Sequence, residues 1–226
     1  MKYDILLFDA DGTLLDFDRA EDQALKQTLL EHGLPYTPAI SRRYHEINDS
    51  FWKLLEQGKI TREFLQANRF AQFLHELGSE AEPALFNRRY RGHLGECAHL
   101  LPGALSLCEK LCKSYSMAIV TNGASEVQHR RLAGSGLAPL FQKVYISEEI
   151  GWQKPDKRFF DFVFSDFPVP DPKRVLLIGD SLSSDIQGGM NAGIDTCWFC
   201  PSQRRSSHPA TYQVSDYREL AELLKI

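Results

Sequence analysis

The chain has 226 residues, enough for one large domain or for a core with a smaller domain inserted in it. Its 43% hydrophobic and 25% charged residues are ordinary for a globular protein, and a net charge of −4 speaks against a nucleic-acid-coating surface. No apolar run is long enough to span a bilayer and the N-terminus lacks a signal-peptide pattern, so the sequence reads as a soluble cytoplasmic protein without membrane or nucleic-acid partners.

Ile5-Leu6-Leu7-Phe8 reads as a short buried strand, after which polarity changes abruptly to Asp9-Ala10-Asp11-Gly12-Thr13. Side chains alternate along a strand, so Asp9 and Asp11 lean to one side of its carboxyl end, the edge where parallel α/β sheets bind ligands. Two neighbouring carboxylates repel, and either a proton or a cation must relieve them. A turn closing a hairpin, or a helix N-cap, is the plainer reading of the same residues.

From about Asp18 to Leu94 no strand pattern occurs. Helices are expected near 18–32, from Thr37-Pro38 to Gly58, from Thr61 to Gly78, and near 82–94, with caps and glycine stops at the expected places. A stripe of Phe64, Ala67, Phe70, Ala71, Leu74 and Leu77 is the expected buried face of the third, and with Phe51 and Trp52 it reads as helix–helix core. Arg88-Arg89-Tyr90-Arg91 reads as a solvated face. The stretch 17–95 is thus an inserted all-helical domain, joined by short linkers near Asp16-Phe17-Asp18 and Glu96–Pro102 that suit a hinge, and 1–16 with 96–226 form the core.

After Leu101-Pro102-Gly103 helices and strands alternate, with strands at 117–120, 143–147, 175–179 and 195–199. This pattern predicts an α/β fold, a parallel sheet covered by helices. Ser202–Ala210 reads as an exposed loop. The five cysteines, Cys97, Cys108, Cys112, Cys197 and Cys200, include one CxxC without metal-binding company and read as buried thiols.

Several strands end in chemistry: Asp9 and Asp11, then Thr121-Asn122-Gly123, then Gly179-Asp180-Ser181 with Asp185, while Lys154-Pro155 follows another. Individually these are a turn, helix caps and a loop lysine. In a parallel sheet they converge on one edge. An all-oxygen set of carboxylates without Cys or His suits Mg²⁺, and Lys154, Thr121 and Asn122 offer donors to phosphate. Asp9 is then placed to attack phosphorus, and Asp11 to protonate the leaving oxygen and later deprotonate water.

Asp9-Ala-Asp11-Gly-Thr13, Thr121, Lys154-Pro155 and Gly179-Asp180…Asp185 resemble, in order, the four motifs of the haloacid dehalogenase superfamily, and the helical insertion resembles its helical-cap subgroup. The resemblance implies a Rossmann-like core sheet with helices on both faces, with Asp9 as nucleophile, Asp11 as acid/base, and Thr121 and Lys154 as phosphate binders. It also implies Mg²⁺ held by Asp9, the Asp11 main-chain carbonyl and Asp180, with Asp185 as ligand or support. Thr121-Asn122-Gly123, Ile146–Gly151, Lys154-Pro155 and Asn191–Trp198 further resemble the bacterial noncanonical pyrimidine 5′-nucleotidases, which implies a small phosphomonoester, a nucleotide, as substrate. A sugar-phosphate phosphatase or mutase shares these motifs; a haloacid dehalogenase lacks the second acid, and a non-catalytic binding module has no need of the full set. The chain is expected to be a monomer or a weak homodimer.

Overall fold

The computed structural model describes residues 2–167, 171–202 and 209–226. It divides into two compact units, Met1–Asp16 with Ala98–Ile226, and Phe17–Cys97. In chain order, β1 (Ile5–Phe8) leads into four helices, α1 (Phe17–Glu31), α2 (Pro38–Glu56), α3 (Arg62–Glu76) and α4 (Pro83–Glu96). Then follow α5 (Ala104–Leu111), β2 (Ser116–Thr121), α6 (Ser125–Ser135), β3 (Lys143–Ile146), α7 (Ser147–Ile150) and α8 (Lys157–Asp166). The chain closes with β4 (Val175–Gly179), α9 (Gln187–Ala192), β5 (Asp195–Phe199), β6 (Tyr212–Val214) and α10 (Tyr217–Leu224).

The strands form one parallel sheet in the order β3-β2-β1-β4-β5-β6. Period-two alternation sends Leu6, Phe8, Met117, Ile119, Leu176 and Ile178 to one face, where α5 and α10 cover them. Ile5, Leu7, Ala118, Val120, Val175 and Leu177 go to the other, beneath Phe159, Phe160 and Val163 of α8. Burial on both faces is why these strands are almost unbroken apolar runs, and the expected α/β, Rossmann-like architecture is present. The sequence did not signal β6: it has three residues at the sheet edge, with Gln213 exposed. Most of the expected loop Ser202–Ala210 lies outside the described residues.

In the helical unit, Thr37 and Thr61 cap α2 and α3 by accepting from the backbone N–H groups of Ile40 and Phe64. Its core is aromatic: the Phe70 ring lies 5.0 Å from Tyr44, 5.0 Å from Phe86 and 5.1 Å from Tyr90. The buried face of α3 is Leu65, Arg69, Phe70, Phe73 and Leu74, so the expected stripe is corrected at Phe64, which is 49% exposed, and at Ala67, Ala71 and Leu77. The reason is Arg69, a buried cation that a hydrophobicity pattern assigns to the outside. Arg69 donates to Asn48 and Asn87, each at 2.9 Å. Asn48 donates at 2.8 Å to Glu21, which also holds His45 Nδ1 at 2.6 Å, so one polar chain ties all four helices together. In the predicted solvated cluster Tyr90 is buried, while Arg88 and Arg89 are exposed. All five cysteines are free, and burial pushes the thiols of Cys108 and Cys197 up to about 12. Among the described residues no helix is long and apolar enough to cross a membrane.

Candidate active site

In this strand order the chain reverses its direction of winding between β1 and β4, and a crevice opens at the carboxyl ends of the strands. Asp9 follows β1, Asp180 follows β4, and Asp185 lies in the wide π-helical turn Leu182–Ile186. Ser181, not either acid, caps that turn, its hydroxyl accepting from the Ser184 N–H at 3.2 Å. One carboxylate oxygen from each of Asp9, Asp180 and Asp185 falls within 4.8 Å of the others. Two glycines make that approach feasible. Gly12, at φ +77°, stands where any Cβ would overlap the Asp180 carboxylate, and a Cβ on Gly179 would overlap Asp185.

Lys154, 1% exposed, joins the acids. Its Nζ donates to Asp9 Oδ1 at 2.7 Å, to Asp185 Oδ1 at 2.6 Å and to the Val120 carbonyl at 2.7 Å, which uses all three of its protons. The second Asp185 oxygen accepts from the Ser181 N–H at 3.0 Å. Burial opposes the charge on Lys154, but Asp185 and Asp9 outweigh it and hold the ammonium above the ordinary lysine range. Burial raises the Asp9 carboxyl; Lys154 pulls it back, Asp185 and Asp11 push it up, and it comes to rest at about 7. Asp180 keeps an exposed outer edge, yet its carboxyl is crowded by protein atoms and by the charges of Asp9 and Asp185, which push it well above the usual carboxylate range.

Asn122 does something the sequence did not announce. Its side chain accepts from the Lys154 N–H and donates to the Lys154 carbonyl, both at 2.9 Å, so its amide clamps the lysine's backbone. The Thr121 hydroxyl accepts from the Gly123 N–H at 3.1 Å and from Gln128 Nε2 at 2.9 Å, an arrangement that leaves its own proton to donate. The Asp11 carboxylate is not part of the three-acid group: Arg131 Nη1 donates to one oxygen and Gln128 Nε2, at 2.6 Å, to the other. Sequence reasoning missed Gln128 and Arg131. Their only signal is negative, in that α6 has too few apolar residues to fill its buried face.

The family model for haloacid dehalogenase-like hydrolases matches residues 6–199. The chain belongs to that family. This hydrolase is 40% identical to the pyrimidine 5′-nucleotidase PynA of Streptococcus pneumoniae, over 99% of the chain and 96% of that protein. It is 36% identical to the pyrimidine 5′-nucleotidase YjjG of Escherichia coli, over 99% of each. A crystal structure of the HAD-hydrolase YfnB of Bacillus subtilis bound to magnesium superposes with a TM-score of 0.95 at 40% identity, covering 100% of both chains. The polar residues singled out in the sequence sit in this hydrolase at the ends of β1, β2 and β4 and in the loop before α8.

Proposed function

We propose that the protein is a Mg²⁺-dependent phosphomonoesterase that works through an aspartyl-phosphate, with pyrimidine nucleoside monophosphates as substrates. The observation that carries the chemistry is Lys154 bridging Asp9 and Asp185 at the reversal point of the sheet. Held by one oxygen, Asp9 is oriented for attack on phosphorus from the other. Thr121 donates to a phosphate oxygen, and Lys154 offsets the repulsion between carboxylate and phosphate. Asn122 keeps Lys154 in place. Asp11 gives its proton to the leaving oxygen as the Asp9–phosphorus bond forms, then takes one from the water that cleaves that bond.

The carboxylates of Asp9, Asp180 and Asp185 are all hard oxygen donors and fit Mg²⁺, which they would hold together with the Asp11 carbonyl. When bound, the ion supplies the positive charge that lets a phosphate dianion approach these carboxylates. The substrate class rests on the full-length similarity to two pyrimidine 5′-nucleotidases.

The test is phosphate release from nucleotides and sugar phosphates with Mg²⁺, for the wild type and Asp9→Asn. UMP, dUMP or TMP should exceed purine nucleotides and sugar phosphates, and Asp9→Asn should lose activity by at least about 10³-fold. A sugar-preferring profile overturns the nucleotidase assignment. Full activity in Asp9→Asn overturns the mechanism.

A further inference from the structure

Gln128 and Arg131 stand one turn apart on the inward face of α6, 1% and 0% exposed. Burying a guanidinium is costly unless a charge and hydrogen bonds meet it, and here the charge is the Asp11 carboxylate. Arg131 takes Asp11 Oδ1; Gln128 takes Asp11 Oδ2 at 2.6 Å and with the same amide nitrogen reaches Thr121 Oγ1 at 2.9 Å. The backbone makes room for this. A Cβ on Gly123 would overlap the end of the Gln128 side chain, so glycine at that point of the loop after β2 opens the lane to Asp11.

We infer that Gln128 and Arg131 are positioning residues for the acid–base steps. They act through Asp11 and touch neither phosphorus nor the leaving group. The inference rests on the reading of Asp11 as acid and base. With both oxygens gripped from one rigid helix, the carboxyl cannot rotate, and the second lone pair of each oxygen points in a fixed direction. In the first step that lone pair carries the proton delivered to the departing ester oxygen while the phosphorus–oxygen bond breaks and the Asp9–phosphorus bond forms. In the second it receives the proton of the attacking water while the Asp9–phosphorus bond breaks. Because Gln128 also grips Thr121, the acid and a phosphate-binding hydroxyl are held at a fixed spacing. Through these two side chains α6 thus sets the line along which the proton moves.

Leaving-group dependence separates this role from a merely structural one, because a good leaving group needs no proton and a poor one does. kcat/KM is measured with Mg²⁺ for phosphate esters ranging from 2,4-dinitrophenol through p-nitrophenol to a nucleoside or simple alcohol. The proteins are the wild type, Arg131→Met, Arg131→Lys, Gln128→Leu and Asp11→Asn. Arg131→Met and Gln128→Leu should lose roughly 10²-fold on the nucleoside and alkyl esters and less than about threefold on the dinitrophenyl ester, repeating in weaker form the profile of Asp11→Asn. Arg131→Lys, which keeps the charge but not the fork, should recover part of the loss.

Equal loss on every ester, or none on the alkyl esters, overturns the inference. If Arg131→Met does not fold by circular dichroism, Gln128→Leu and Gly123→Ala decide by the same profile. A wild type that turns over none of these esters defeats the phosphatase assignment and this inference with it, whereas a uniform loss in the variants defeats the inference alone.

Discussion

A buried lysine usually sheds its proton, and a buried pair of acids usually keeps one. Lys154 keeps its proton because two carboxylates meet it, while burial still raises Asp9 to about 7, which is why the motif residues are informative only as a set. His45 is a similar case in the helical unit. Its ring is about half exposed, but the hydrogen bond to Glu21 raises it to about 9, with the charges of Glu21, Asp18 and Asp49 adding to the effect. A folded value above the unfolded one, about 6.5, means that the protonated ring stabilises the fold fully below that pH, and that the contribution fades as pH rises through about 9. His45→Gln should therefore be less stable than the wild type at pH 6 and approach it by pH 10. Urea midpoints measured across that range check this; a gap that widens with pH would show the sign to be wrong. The pairing of His45 with Glu21 was not visible in the sequence, where the two are 24 positions apart and both look like surface residues.

Elements with strong apolar runs or clear caps were legible: β1, β2, β4 and β5, and the four helices with their prolines and glycine stops. What escaped were elements that answer to packing alone. α7 and α9 are four and six residues long, too short to show a period, and β6 exists because β5 offers an edge. In α3 and α6 the buried face contains Arg69, Gln128 and Arg131, so polarity pointed outward where the fold required inward. Stability in α3 still comes from its rings. Phe70 is fully buried among Tyr44, Phe73, Phe86 and Tyr90, and Phe70→Ala should cost about 3–5 kcal/mol in urea unfolding followed by circular dichroism, since the surrounding rings close only part of such a void. A loss below about 1 kcal/mol would mean that the cluster repacks freely.

At the scale of the molecule, the order of the motifs along the chain was enough to read the sheet edge, because right-handed parallel connections leave few ways to arrange alternating strands and helices. Ile5 pairs with Ser116 on one side and with Val175 on the other, so the central strand comes first in the chain and its partners lie roughly 110 and 170 residues later. A chain ending at Asp171 lacks β4 entirely, and its β1 amides should exchange with deuterium far faster than those of the full protein; equal protection would show that β1 and β2 suffice. During synthesis at about 5–20 residues per second, the wait for β4 is on the order of ten to thirty seconds. For that time Ile5–Phe8 is an apolar segment on a nascent chain, able to pair with any strand it meets. Asp4 precedes it, and Asp9 and Asp11 follow. Charges in those places are gatekeepers against aggregation. The acids to which we assign the chemistry of the finished enzyme thus have an earlier occupation, keeping their own strand soluble until the sheet exists to receive it.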